Sequence, residues 1–235
     1  MKRLRRVDTE EQRVREPGLS AYQQALRDRL LAAPVVPAPE PWRPVYESAY
    51  GVPVGGLLGI GFASHPESGR DLVMVVSQDG HGLFDAVTGE KIARDRDPGP
   101  DLDPEGSAPV ADLACPGLGP VAGSRVHIAG LFGGGLHTTT GDGWTLEAVA
   151  PDWPHHRVLL SSDGGLPHSG PYGERWWHIL HSTYSELRAF GFSPSGETIA
   201  VATSSDVSLW TRHPRHSDSD SDSDSDRNGD GVARL

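Results

Sequence analysis

Over most of its length the chain alternates between short apolar runs and clusters of turn residues. From residue 45 onward these runs are too short for helices, and Gly, Pro, Asp and Ser separate them, a pattern typical of β-strands. The predicted strands are 45–50, 57–63, 72–77, 81–85, 90–94, 125–131, 135–140, 144–149, 157–161, 175–180, 187–193, 199–204 and 207–212. With no helical pattern between them, they predict an all-β sandwich, barrel or propeller over residues 45–216.

One segment near the start has a helical period instead. Its apolar positions are Leu19, Tyr22, Leu26 and Leu30. Ser20 and Gln23 have the form of a capping box, and Pro34 ends the pattern. We expect one amphipathic helix within residues 18–33, docked on the domain's own surface; the alternative is a helix that binds a partner.

The remaining segments lack strand or helix patterns. Residues 1–17 are charged and without periodicity, which predicts a flexible arm, and the prolines of 34–44 predict a stiff linker. Residues 95–120 are rich in Pro, Gly and Asp and predict a long surface loop. The Ser-Asp alternation of residues 217–235 cannot form a core and predicts a disordered acidic tail.

The stretch 187–210 combines three strands and two turns in a recognisable order. Phe190 and Phe192 share a strand face, a Pro-Ser-Gly turn follows, and an apolar strand then leads into Ser-Asp and a final strand ending in Trp210. This stretch resembles one WD40 repeat. The resemblance implies that a Ser, an Asp, a Trp and an upstream His form one hydrogen-bonded set. The matching residues here are Ser204, Asp206, Trp210 and His181.

A second stretch follows the same pattern, more weakly, over residues 56–94. Gly61-Phe62 matches Gly191-Phe192, and a Leu-Phe-Asp segment stands where the family has Trp-Asp. Phe62 and Phe192 are 130 residues apart, or three intervals of about 43, close to the WD40 blade period. The resemblance implies a small or incomplete β-propeller of about four blades, which residues 45–50 would complete from the N-terminal side.

Charge and cysteine content exclude some classes of partner. The formal net charge is −11, from 32 acidic and 21 basic residues, which does not form the basic surface that nucleic acids require. Cys115 is the only cysteine, so an intrachain disulfide is excluded. No secretory signal is recognised, and the apolar run 52–63 is interrupted by glycines and too short to cross a bilayer. We expect a cytoplasmic protein that binds neither nucleic acid nor membrane.

Motifs for chemistry are sparse. Asp226, Asn228 and Asp230 resemble the first half of a calcium loop, without the later Glu, which predicts weak calcium binding at most. His178 and His181 lie three apart in a predicted strand, where they face opposite sides, and no Cys or Glu stands at ligand spacing. No phosphate-loop or nucleophile motif is present. The sequence therefore predicts no catalytic residue, metal or cofactor.

Aromatic residues are concentrated between residues 150 and 178, which we interpret as a possible contact surface. Its candidate residues are Trp153, His155, His156, Tyr172, Trp176 and Trp177. Adjacent Trp176 and Trp177 point to opposite faces of a strand, so one of them is exposed or covered by a loop. The leading hypothesis is a non-enzymatic, scaffold-type interaction module with a protein partner. The alternatives are a propeller-type hydrolase or lyase with a His/Asp site in a central channel, and a weak calcium-binding protein.

Overall fold

A computed structural model describes residues 18–48, 51–96, 113–162 and 169–214. These residues are mostly β, with one α-helix, α1 (Ala21–Ala32), and a 3₁₀ turn at Gly119–Val121. The strands are β1 Arg43–Pro44, β2 Val52–Pro53, β3 Leu57–Ser64, β4 Asp71–Ser77, β5 Gly80–Asp85, β6 Lys91–Asp95, β7 Ala114–Pro116, β8 Arg125–His127, β9 Ala129–Gly130, β10 Thr145–Asp152, β11 His155–Ser161, β12 Trp176–Ser182, β13 Leu187–Phe192, β14 Thr198–Thr203 and β15 Asp206–Thr211. The predicted arm at 1–17 and tail at 217–235 lie outside the described residues.

Three antiparallel meanders organise the domain. The N-terminal sheet has the order β6-β5-β4-β3-β9, and the histidine sheet has the order β10-β11-β12. The C-terminal sheet has the order β1-β15-β14-β13, with β2 also paired to β15. A two-stranded β7–β8 hairpin is the fourth sheet, and none of the described sheets closes on itself. The prediction of an all-β domain with one helix is confirmed.

The first hairpins of the N-terminal and C-terminal sheets have the same register. Phe62 pairs with Val73 in one, and Phe192 pairs with Ile199 in the other. In β3 a register shift begins at Leu57, five residues before Phe62. In β13 a register shift begins at Leu187, again five residues before the phenylalanine, Phe192. The two Gly-Phe pairs therefore occupy corresponding positions in the two hairpins.

The C-terminal sheet lies between the other two meanders and is buried on both faces. Along β14, Ala200 and Ala202 pack in one cluster with the N-terminal sheet. The intervening Ile199 and Val201 pack in another cluster with the histidine sheet. Alternation along the strand thus assigns small residues to one interface and larger ones to the other. The near-continuous apolar run of β14 reflects this two-sided burial.

The N-terminal segment supplies the last strands of the C-terminal sheet, and of the predicted residues 45–50 only Val45, among those described, bonds to it, by donating its N–H to the Leu209 carbonyl. Arg43 pairs with Thr211 in β1, and a second contact forms at Val52–Pro53 in β2. The pairing begins earlier than predicted because Trp42, immediately before β1, is buried in the core formed with the histidine sheet. Trp42, the apolar residue that anchors β1, therefore lies before the predicted strand 45–50.

A central segment, residues 127–139, passes along the first strands of all three meanders. It pairs with β3 at Gly130, with β13 at His137 and with β10 at Thr139. The strand predicted at 135–140 is therefore replaced by isolated bridges, because the segment changes partner every few residues. Two glycines permit its close approach: a Cβ at Gly61 would overlap the His127 carbonyl, and one at Gly191 would overlap Leu136.

The predicted loop 95–120 contains ordered structure in its described part. β7 pairs with β8, and Cys115 of β7 is buried against the outer face of the N-terminal sheet. Burial raises the pKa of the Cys115 thiol to about 11. The sequence pattern missed this hairpin because only Cys115 and Val126 mark its apolar side.

Helix α1 begins as the capping box predicted. The Ser20 hydroxyl accepts the N–H of Gln23, and the Gln23 side chain accepts the N–H of Ser20. Its buried face is narrower than the sequence indicated: only Leu30 is buried, while Tyr22 and the preceding Leu19 are exposed. In the described part of the chain, no helix is both long and apolar enough to cross a membrane.

Candidate functional site

The predicted aromatic contact surface divides into separate places. Trp153, in the β10–β11 turn, is 78% exposed and makes an edge contact with His156. Trp176 is fully buried, with Tyr172 at a ring separation of 4.8 Å, and Trp177 packs beside Trp144 in the core. Trp176 is covered by α1 together with Tyr172 of the preceding loop. Only the Trp153 end of the predicted surface is open.

The four residues matched to the WD40 polar set have different partners. His181 lies 3.7 Å from Asp152, and Ser204 accepts the backbone N–H of Glu186. The Asp206 carboxylate accepts the adjacent Ser205 hydroxyl, while Trp210 packs in the hydrophobic core. His181 belongs to the histidine sheet, whereas the other three precede or lie in β15, so the set is divided between two sheets.

The ionisable residues of the histidine sheet form a cluster near the end of α1. Its members are Asp152, His155, Arg157, His178 and His181. The His181 ring is 5.6 Å from the His178 ring and 6.2 Å from the His155 ring, between centroids. Arg157 Nε lies 3.5 Å from the Asp152 carboxylate. Four of the five residues lie on β11 and β12, and Asp152 ends β10.

Arg157 and Asp152 balance the cluster electrostatically. Burial acts to raise the pKa of Asp152, but hydrogen bonding from Arg157, with the charges of Arg157 and His181, holds that pKa below its usual value. Burial is the largest cause that lowers the pKa of His181, and the Arg157 charge adds to it. Asp152 is therefore a counter-ion for Arg157.

A cavity of about 360 Å³ opens beside the end of β12. Its walls combine apolar and hydroxyl side chains with one imidazole, that of His181, and one carboxylate. They include Val35, Ile179, Leu180, Tyr184, Ser205 and Asp206. Tyr184 is 92% exposed at its rim. A second cavity of about 290 Å³ shares Val35 and Ile179 with it, so the two form one groove along the linker.

The edge of β12 next to this groove is only partly paired. The Trp176 carbonyl accepts the Gly173 N–H, and the His178 carbonyl accepts the Val36 N–H. Within the described ranges, no strand bonds to this edge beyond His178. The end of β12 therefore presents a sheet edge at the mouth of a largely apolar cavity.

The region near the central segment does not assemble an acid–base pair. A cavity of about 440 Å³ there is lined by Arg125, His127 and His137, and no carboxylate is among its described lining residues. The described ranges also hold no group of three metal-ligating side chains. The calcium-loop residues at 226–230 lie outside the described residues.

Comparison with known proteins yields no matching family model, no matching curated protein and no matching solved structure.

Sequence reasoning missed Asp152 and Arg157 of the histidine-sheet cluster, and Tyr184 at the rim of the cavity. Arg157 is the more detectable: a single cation within the strand His-His-Arg-Val-Leu-Leu signals a buried charge that needs partners. Tyr184 carries no such signal, because a tyrosine among serines in a turn has no pattern of its own. The cavity depends on Val35, which only the tertiary fold brings to Ile179.

Proposed function

We propose that the chain is a non-enzymatic protein-interaction module built as a small, incomplete WD40-like propeller. The repeated hairpin register of the N-terminal and C-terminal sheets supports this architecture. The two-sided burial of the C-terminal sheet supports it too, because neighbouring blades of a propeller pack face to face. The central segment takes the place of an open channel.

The partner in this proposal is a protein segment in extended conformation that adds to the edge of β12. Peptides commonly bind in this way, through main-chain hydrogen bonds to an open edge and alternate side chains in pockets. The observation that carries the proposal is the partly paired β12 edge beside the 360 Å³ cavity. The exposed Tyr184 supplies an aromatic contact of the kind enriched at interfaces.

The cavity also defines the chemistry of the segment. Ile179, Leu180 and the Tyr184 ring favour an apolar side chain. Asp206, at the same cavity, favours a basic side chain nearby. The net charge of −11 further favours a basic partner over a nucleic acid. We place the protein in the cytoplasm, a reducing compartment suited to a chain whose single cysteine is a free thiol.

A display library of extended peptides, selected on the full chain, tests this function. We expect selected peptides to alternate apolar residues with a basic one, and to protect the amides of residues 180–182 from hydrogen exchange. Tyr184→Ser should weaken binding about tenfold, a loss of about 1.4 kcal/mol. Tyr22→Ser, at another exposed tyrosine, is the matched control and should leave binding unchanged.

Two results would overturn the proposal. One is selected peptides that bind equally well to the Tyr184→Ser variant. The other is amide protection confined to another part of the domain, such as the Trp153 turn.

A further inference from the structure

Helix α1 docks on the histidine sheet through a small apolar contact. Leu26, Leu30 and Ala33, spaced as one helix face, pack against Leu159 and Trp176. Apart from Leu30 the helix has no buried residue, so little apolar area holds it in place. Short helices are marginal in water by themselves, and α1 therefore depends on its docking contacts.

Polar contacts supply much of the remaining attachment. Arg27 Nε donates to the Pro151 carbonyl at 2.6 Å, and Arg29 donates to the Gly170 carbonyl. The Tyr172 hydroxyl donates to the carbonyl of Pro34, just after the helix. Such contacts exchange readily with water when the helix leaves, so they add only modest stability each.

The C-terminal end of α1 is held by two side chains of the histidine sheet. Arg157 Nη1 lies 3.2 Å from the Leu30 carbonyl and 3.4 Å from the Ala33 carbonyl. His178 Nδ1 lies 3.0 Å from the same Ala33 carbonyl. The last carbonyls of a helix have no partner within the helix, so these two groups complete its end.

His178 is buried with an acceptor at each ring nitrogen. Besides the Ala33 carbonyl at Nδ1, the Leu180 carbonyl lies 3.1 Å from Nε2. A neutral imidazole has one N–H and can donate to only one of them. A protonated ring would donate to both, but would also carry a positive charge beside Arg157 on the same carbonyl. The protonation state of His178 thus acts directly at the helix end.

The charged and titratable groups around His178 decide whether its protonation strengthens or weakens the docking of α1. Arg157 of β11 and His181 of β12 face His178 directly. His155 and Asp152 lie on the far side of His181, and Tyr172 and Arg29 contact the ring of Trp176. Burial is the largest cause that lowers the pKa of His178, and the charges of Arg157 and His181 lower it further. The hydrogen bonds to the Ala33 and Leu180 carbonyls act to raise the pKa of His178, but the net shift of that pKa is downward.

We propose that α1 is a displaceable cover on the histidine sheet, docked while His178 is neutral and released when His178 is protonated. Release frees Trp176 and Leu159, which form an apolar face shaped for a helix. It also frees Val35 and Val36, which border the β12 edge. Mild acidification would therefore change both the exposed surface and the groove of the proposed peptide site, although this inference does not depend on that function.

The direction follows from proton linkage. The docked state holds His178 with a pKa below its ordinary value of about 6.5, and release raises that pKa by removing the burial under the helix, which is part of the largest cause. The released state therefore binds more protons below pH 6.5, and acid favours release. Docking has its full strength above pH 6.5 and weakens as the pH falls below it. A single group changes this equilibrium by at most about tenfold per pH unit.

Hydrogen exchange of the full chain measures this release. Protection factors of the α1 amides, corrected for intrinsic exchange rates, should fall about fivefold between pH 7.5 and pH 5.5, while those of β14 stay constant. His178→Gln keeps one donor for the Ala33 carbonyl but cannot titrate, and should make the α1 protection independent of pH. His137→Gln, remote from α1, is the matched control and should retain the wild-type dependence.

A second variant separates titration from simple weakening. Leu30→Ala removes the buried apolar anchor and should lower α1 protection at every pH with an unchanged pH dependence. The wild-type measurement is decisive even if His178→Gln does not fold. Protection that is constant or increases on acidification would overturn the proposal, as would a His178→Gln protein that keeps the fivefold fall.

Discussion

The first hairpins of the N-terminal and C-terminal sheets correspond in their pairing, but the outer strand of each sheet comes from a different part of the chain. In the N-terminal sheet the fourth strand is β6, which follows β5 directly and is largely exposed. In the C-terminal sheet the corresponding place beside β15 is taken by β1, whose neighbour Trp42 is buried. The first hairpin is thus the constant element, and the outer strand is a position that different parts of the chain can fill.

The constancy of the hairpin has a physical source at its glycines. Gly61 and Gly191 occupy equivalent positions, and the central segment approaches both of them too closely for a side chain. The two outer strands are held differently from each other: a Cβ at Gly80 would overlap the Asp95 carbonyl of β6, whereas β1 is anchored by the adjacent buried Trp42. We infer that the shared register is fixed from the inside of the domain, and three sets of substitutions test this comparison of the sheets.

The largest effect is expected at the two equivalent glycines. Gly61→Ala would place a methyl group on the His127 carbonyl, and Gly191→Ala would place one on Leu136. Each should lower the free energy of unfolding by about 3 kcal/mol, because at both positions the obstacle is backbone or an atom fixed to it. Chemical denaturation monitored by circular dichroism measures the loss.

The control for these glycines lies on the central segment itself. Gly135 is exposed, and a Cβ there would meet nothing within 4 Å. Gly135→Ala should change stability by no more than about 0.5 kcal/mol. Equal losses at Gly61, Gly191 and Gly135 would contradict the idea that close approach fixes the register.

A second comparison concerns the outer strands. Trp42 is 2% exposed and contacts Trp144, Phe192 and the Arg212 guanidinium. Trp42→Ala should cost about 3 kcal/mol, because it leaves a large cavity in the core. Ile92→Ala in β6, where the side chain is 40% exposed, should cost less than about 1 kcal/mol. Similar costs in thermal unfolding would show that the two outer strands are energetically alike.

The smallest predicted effect concerns the bond between the two sheets. The Asp71 carboxylate, at the start of β4, accepts the hydroxyls of Ser195 and Thr198 in the C-terminal sheet. Asp71→Ala leaves the buried Thr198 hydroxyl without this acceptor and should cost about 2 kcal/mol. The exposed Asp79→Ala is the control. A loss of stability in Asp79→Ala that matches that of Asp71→Ala would argue against an inter-sheet role.

The sequence predicted the buried strands well for a simple reason. Continuous apolar runs such as Leu72–Val76 and Ile199–Ala202 are visible without knowledge of their partners, since burial on both faces leaves no alternation. The capping box at Ser20 is equally local. These elements depend on neighbours in the chain, which is the information that a single sequence carries most clearly.

The candidate site depends on contacts that no local pattern encodes. His178 faces a carbonyl 145 positions earlier, at Ala33, and Arg157 reaches the helix end across a similar distance in sequence. His181 was matched to a polar set with Ser204, yet its nearest charged partner is Asp152. Single-sequence reasoning identified the histidines as unusual but could not choose among their possible partners.

The pairing of β1 with β15 has a consequence for synthesis. Trp42 leaves the ribosome 150 residues before Phe192, the ring it packs against. Even Trp144, which also packs against this indole, follows 102 residues later, and contacts so distant along the chain form slowly. The nascent polypeptide must therefore keep an aromatic group unsheltered for a large part of its translation, which exposes it to chaperones before the domain can complete itself.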